Sequence, residues 1–152
     1  MNIKNNKGYF AIDASVAMII LLIVVPLIAG MIYNITKANS SMARKAEAVN
    51  IAVNSIEAIK GIEIAKLNDN TTMDANIKQA LKQVYGNLDE NEMTLEKDEI
   101  TYQIEYQITD YASTDAGQNV QAIEGKTKII QVTVKYKNQK VTKEIKLETA
   151  IS

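Results

Sequence analysis

Asp13 places a carboxylate at the mouth of an apolar run, and Gly8-Tyr9 lies about one helical turn ahead of it. Residues 14–33 are twenty in number, and only Ser15 among them is polar. As a helix rising about 1.5 Å per residue, that run spans about 30 Å, the thickness of a bilayer's hydrocarbon core. A charge there costs about 2.5–3.5 kcal/mol at the bilayer centre and less toward the edge, so the carboxylate calls for a positive partner. Cleavage after Gly8 supplies one. The new chain begins at Tyr9, with a free amine four residues ahead of Asp13. Within one chain or between neighbours, amine and carboxylate then neutralise each other. Each feature alone has an ordinary reading, Lys7-Gly8 as the flank of a signal anchor and Asp13 as a helix N-cap. The two in register favour a processed chain.

A short basic leader, a Gly, an aromatic residue, three mostly apolar residues, an acid and an apolar helix stand in that order. This pattern resembles the class III leader of type IV prepilins and of the pseudopilins of type II secretion and competence systems. The leader is residues 1–8, with Lys4 and Lys7; the aromatic is Tyr9 and the acid is Asp13. The family usually has Phe and Glu at the last two places. Tyr9 and Asp13 keep the chemistry, with one methylene less reach for the acid. The resemblance implies cutting between Gly8 and Tyr9 by a prepilin peptidase, methylation of the Tyr9 amine, and Asp13 as the registry element that meets a neighbour's amine. It also implies helix-breaking positions at Pro26 and Gly30, where the helix loosens on packing into a filament; many members carry Pro at the position of Gly30. A mid-helix Pro removes a backbone hydrogen bond and can kink the helix, although membrane helices also repair it locally. An ordinary secretory signal fits less well, because its apolar region is about 7 to 15 residues long. Lys4 and Lys7 on one side are balanced by Lys37, Arg44 and Lys45 on the other, so charge alone does not orient the span.

No Pro or Gly cluster separates the apolar run from the polar residues beyond it. Over residues 41–60 the chain is Ala-rich and free of breakers, as a continuing helix requires. Met42, Ala46, Val49, Val53 and Ile56 recur at helical spacing and are expected to pack on the head. Ala48, Ala52 and Glu57 resemble a pattern in the same helix of minor pilins and I-type minor pseudopilins, which favours a minor subunit. A helix over residues 10–60 would be about 75 Å long, with Gly61 as terminator or kink. A second helix is expected over residues 72–85, capped by Thr71 or Thr72, with Asp74 in its first turn and Gly86 as stop.

The period then changes to two. Ile100, Tyr102, Ile104, Tyr106 and Ile108 alternate with polar residues, as do Ile130, Val132, Val134 and Tyr136. Val141, Ile145 and Leu147 make a further strand, interrupted by Lys143, with a tight hairpin at Asn138-Gln139. A shorter strand is expected over 93–97 and a polar loop over 112–125. The fold class is α+β: a long N-terminal helix, half membrane-spanning and half amphipathic, on a small antiparallel sheet. The domains are a leader at 1–8, a transmembrane and assembly helix at 9–33, its amphipathic continuation at 34–66, and a globular head at 67–152.

The chain has no Cys and no His, which excludes disulfides, thiol nucleophiles, His bases and the usual zinc sites. With 17 basic and 18 acidic residues mixed along it, no basic stripe suggests nucleic acid. Asp89, Glu90 and Glu92 are oxygen donors suited to calcium, but their spacing reads better as a solvated turn. Asn34, Asn39 and Asn70 head short glycosylation-type triplets. Tyr102, Tyr106 and Tyr136 read as core. The sequence therefore points to a minor pilin precursor, not an enzyme, without cofactor or metal. Its expected partners are other pilin subunits, prepilin peptidase, the assembly machinery and, before assembly, lipid. It would sit in the inner membrane with its head outside the cytoplasm, and afterwards in a pilus. The alternatives are a pseudopilin of a secretion or DNA-uptake machine, and a permanently anchored single-span protein with a ligand-binding head.

Overall fold

The computed structural model describes residues 6–111, 127–138 and 141–152. Two compact units form, Met1–Met42 and Ala43–Ser152, and helix α1 (Asn6–Lys60) contributes to both. α1 is helical through both Pro26 and Gly30. In the first unit every large apolar side chain from Ile12 (65% exposed) to Ile35 (59% exposed) is uncovered. A helix apolar on all sides is stable only in apolar surroundings, and this one is long and apolar enough to cross a membrane. Where polar residues return, the helix absorbs its own hydroxyls. Thr36 Oγ1 donates to the Ile32 carbonyl and Ser40 Oγ to that of Lys37, both at 3.0 Å.

The second unit is an α+β head. Four strands, β1 (Thr94–Lys97), β2 (Ile100–Asp110), β3 (Lys128–Asn138) and β4 (Val141–Ile151), pair antiparallel in the order β1-β2-β3-β4. The alternation in the sequence decides which face is wet. Tyr102 and Ile104 on β2, with Ile130, Val132, Val134 and Tyr136 on β3, are buried, whereas Thr101, Gln103, Gln107 and Thr109 are exposed. The rings of Tyr102 and Tyr136 lie 5.8 Å apart between centroids, which places both in the core as expected. The segment expected as a loop over 112–125 falls outside the described residues. So does Gln139 of the expected hairpin; Asn138 itself pairs with Val141, leaving a two-residue link.

The C-terminal part of α1 lies on this sheet, by a different face from the one expected. Ala48, Ile51, Ala52, Ser55 and Ile59 are buried in the core. Of the expected stripe, only Ile56 packs against that cluster; Met42, Ala46 and Val53 are exposed and Val49 is half-buried. Two faces of the helix carry the same spacing. The buried one sets two isoleucines, Ile51 and Ile59, among the smaller Ala48, Ala52 and Ser55, large and small side chains that can interdigitate with the sheet's apolar face. Ser55 is the polar member of the buried face. Tyr85 Oη donates to the Ile51 carbonyl at 2.8 Å, and Ser55 Oγ lies 3.2 Å from Tyr85 Oη, so the buried hydroxyl has a partner. Glu47 on α1 also meets Lys97 on β1 at 2.7 Å.

α1 ends at Lys60, and the Gly61 amide still reaches the Glu57 carbonyl at 3.1 Å. A separate short helix, α2 (Ile64–Asn68), comes next where the sequence suggested one continuation to residue 66, and buried Leu67 anchors it. Helix α3 (Met73–Val84) buries Ile77 and Leu81. Thr72 occupies its N-cap but makes no side-chain cap bond. Asp69 organises this corner instead, accepting from the Thr71 amide at 3.0 Å, the Thr71 hydroxyl at 2.5 Å and the Thr72 hydroxyl at 2.8 Å.

The β1–β2 hairpin turns on Asp98 and Glu99, with φ of 50° and 62°. Two consecutive left-handed residues define a turn that Asn-Gly fits best, and a Glu there is strained. Replacing Asp98-Glu99 by Asn-Gly is expected to stabilise the head by about 1 kcal/mol, read as a higher urea midpoint. An unchanged midpoint would refute the strain.

Candidate functional site

The candidate site is the N-terminal segment of α1. Gly8 and Tyr9 fall in its first turns, and the Tyr9 side chain is outside what the structure describes. Asp13 is exposed on the same helix, one turn after Tyr9, about 6 Å further along the axis. It opens the apolar surface that continues to Ile35. Among the described residues no cation pairs with Asp13. A carboxylate in that setting can hold a cationic group brought to it by the chain's own start or by another chain. The cut expected between Gly8 and Tyr9 lies in helical backbone, so a protease must first unwind that turn. Gly30 stands in open space: a Cβ there would meet nothing within 4 Å. The glycine costs helix stability of about 1 kcal/mol against Ala and answers no steric need inside the subunit.

The head holds its polar groups in internal bonds. Asp89 Oδ1 accepts the amides of Asn91 at 2.8 Å and Glu92 at 3.3 Å, and Glu90 pairs with Lys82, so two members of the acidic run build a turn. Among the described residues no group of three or more acidic or other metal-binding side chains gathers. Asn34, Asn39 and Asn70 are exposed. Lys128, almost covered, is met by Asp110 at 2.9 Å across β2 and β3. A groove of about 550 Å³ opens beside the start of β2 and the end of β3, among Arg44, Ile100, Gln103, Lys135, Tyr136 and Lys137. It brings together charged, amide and aromatic groups without a paired nucleophile and base.

Sequence reasoning missed the corner that ties α3 down. Tyr106 Oη on β2 donates to Asp74 in the first turn of α3, and Lys78 lies 3.0 Å from the same carboxylate. The hydroxyl first, then the ammonium, hold the Asp74 carboxyl below its ordinary 3.8; the two threonine hydroxyls and the Thr71 amide do the same for Asp69. Burial, reinforced by Asp74, pushes the Tyr106 hydroxyl up. Carboxyls with lowered values in the folded state stabilise it above the unfolded value and lose that contribution as pH falls through the folded one. The melting temperature of the head is therefore expected to drop as pH falls below about 4, and Asp74→Asn to flatten part of that slope. An identical slope in Asp74→Asn would remove this corner from the acid response.

No protein-family model, characterised protein or solved structure matches this chain.

Proposed function

We propose that this chain is the precursor of a minor type IV pilin, held in the cytoplasmic membrane by α1 until its first eight residues are removed. The observation that carries the reading is the fully uncovered apolar surface of α1, opened by Asp13 one turn after Gly8-Tyr9. Cleavage after Gly8 by a prepilin peptidase creates the Tyr9 amine, which is then methylated. Subunits leave the bilayer by exchanging lipid contacts for helix contacts. That exchange releases little hydrophobic free energy, because lipid tails are as apolar as the helices. Specificity therefore falls to the polar pair: Asp13 of one subunit draws the Tyr9 amine of a neighbour, where low polarity strengthens the attraction. Gly30, useless within the subunit, gives a neighbouring helix room to approach. The head stands outside the cytoplasm. The subunit is a building part and not a catalyst.

Gly8→Leu tests the processing step. The variant is expected to remain as uncut precursor on a gel, and a mature mass equal to that of the wild type would refute the site.

A further inference from the structure

The two edges of the sheet differ. On β1 the outward backbone groups are taken. The Thr94 amide and carbonyl exchange bonds with Asp89 at 3.3 and 2.9 Å, and the Glu96 carbonyl accepts from Asn87 Nδ2 at 3.0 Å. β4 runs for eleven residues at the other edge, each paired with β3 on its inner side. Among the described residues no hydrogen bond reaches its outer side.

The bonds at β1 also fix which groups of β4 face outward. In an antiparallel ladder a residue turns its amide and carbonyl together toward one neighbour, and the sense alternates along the strand. Thr94 and Glu96 turn away from β2, so Leu95 and Lys97 turn toward it. The Ile104 amide, bonded to the Met93 carbonyl at 2.8 Å, likewise puts the even-numbered residues of β2 on the β1 side. The registers of β2 with β3 and of β3 with β4 run without a bulge. Carried across them, the alternation turns Thr142, Glu144, Lys146, Glu148 and Ala150 outward, amide and carbonyl both.

An open row of amides and carbonyls on alternate residues is complementary to an extended polypeptide backbone. Side chains set what kind. Ile145, Leu147 and Ile151 are half-buried against the core, and Glu144, Lys146 and Glu148 are exposed on the other face. The order acid, base, acid reads the same in both directions. Its complement is base, acid, base on alternate residues, with apolar residues between. Lys143, which interrupts the strand's apolar side, pairs with buried Tyr136 on the core face. A charge there bars an apolar neighbour, so the usable edge begins at Glu144.

We infer that residues 144–151 of β4 receive an extended segment of a different protein as a fifth strand. The segment carries basic residues opposite Glu144 and Glu148, an acidic residue opposite Lys146, and apolar residues between. A second copy of this chain does not fit. Its β1 edge is closed, and antiparallel pairing of two β4 strands turns one sheet half a revolution about its normal. Residues 43–60 of the two α1 helices would then run in opposite directions, as two chains held in one bilayer do not. The inference is independent of cleavage after Gly8.

Fluorescence anisotropy of a labelled peptide, Val-Lys-Val-Glu-Val-Lys-Val, with the full chain in detergent tests this. Saturable binding is expected, and about tenfold weaker binding of the charge-swapped peptide Val-Glu-Val-Lys-Val-Glu-Val, which sets like charges against the edge. Equal binding of the two, or none, would overturn the inference. Methylating the backbone amides of the peptide's lysines and glutamate removes the donors that face β4 and is expected to abolish binding. Methylating those of its valines is expected to leave binding intact, and the reverse result would overturn the edge assignment and the inference with it. Lys146→Pro takes one outward amide from the edge and none from the β3 ladder, so binding is expected to be lost with little change in the urea midpoint of the head. Full binding in that variant would overturn the inference, as would a dimer of the wild-type chain that Lys146→Pro dissolves.

Discussion

Asp13→Ala protein is expected to lose its leader at the wild-type rate and to enter filaments at less than about a tenth of the wild-type level, since each 1.4 kcal/mol is tenfold in an equilibrium. The alanine itself suits an apolar helix. The damage lies in the partner. Without the carboxylate, a neighbour's Tyr9 amine is left as an unpaired charge between packed helices, a loss of about 3–5 kcal/mol in comparable buried pairs. Asp13→Glu keeps the charge and is expected to recover most of the incorporation, whereas Asp13→Asn keeps the shape and is expected to fail. Quantifying subunits in sheared filaments against the membrane pool checks all three. Normal incorporation of Asp13→Ala would remove the carboxylate from assembly.

Ile51→Ala is expected to destabilise the head by about 3 kcal/mol, because its side chain is 2% exposed in the core and its removal leaves a cavity there. Val53→Ala, two residues on, is expected to cost less than about 1 kcal/mol, since Val53 is 39% exposed and leaves no enclosed void. The contrast tests which face of α1 the sheet holds. Urea unfolding in detergent, followed by tyrosine fluorescence, reads both. Equal losses, or a larger loss at Val53, would mean that the helix is turned the other way.

The strands were legible because a period of two, as in residues 100–108 and 130–136, arises from little else than a half-buried strand. Their burial follows that alternation except at Glu105 and Tyr106, which are both half-buried. The face of α1 was not legible, because two stripes with equal spacing compete in residues 42–59 and hydropathy favours the wrong one. The buried stripe mixes two alanines and a serine with Ile51 and Ile59, and hydropathy does not count the fit of small side chains against the sheet's apolar face. α2 was hidden by its length, since five residues are too few for a period to show. Tyr85 and Tyr106 act through contacts with distant elements, Tyr85 with Ile51 and Tyr106 with Asp74, that no local pattern encodes. The candidate site is the reverse case. Gly8, Tyr9 and Asp13 are readable as a linear motif, because proteolysis and charge pairing there depend on neighbours in sequence.

Mass spectrometry of the protein's amino terminus, taken from filaments and membranes of its own host, addresses the whole scheme at one bond. The expected peptide begins at Tyr9 and carries one added methyl group on its amine. A chain that still begins at Met1 would leave Asp13 without its proposed counter-charge and would make this protein a permanently tethered head.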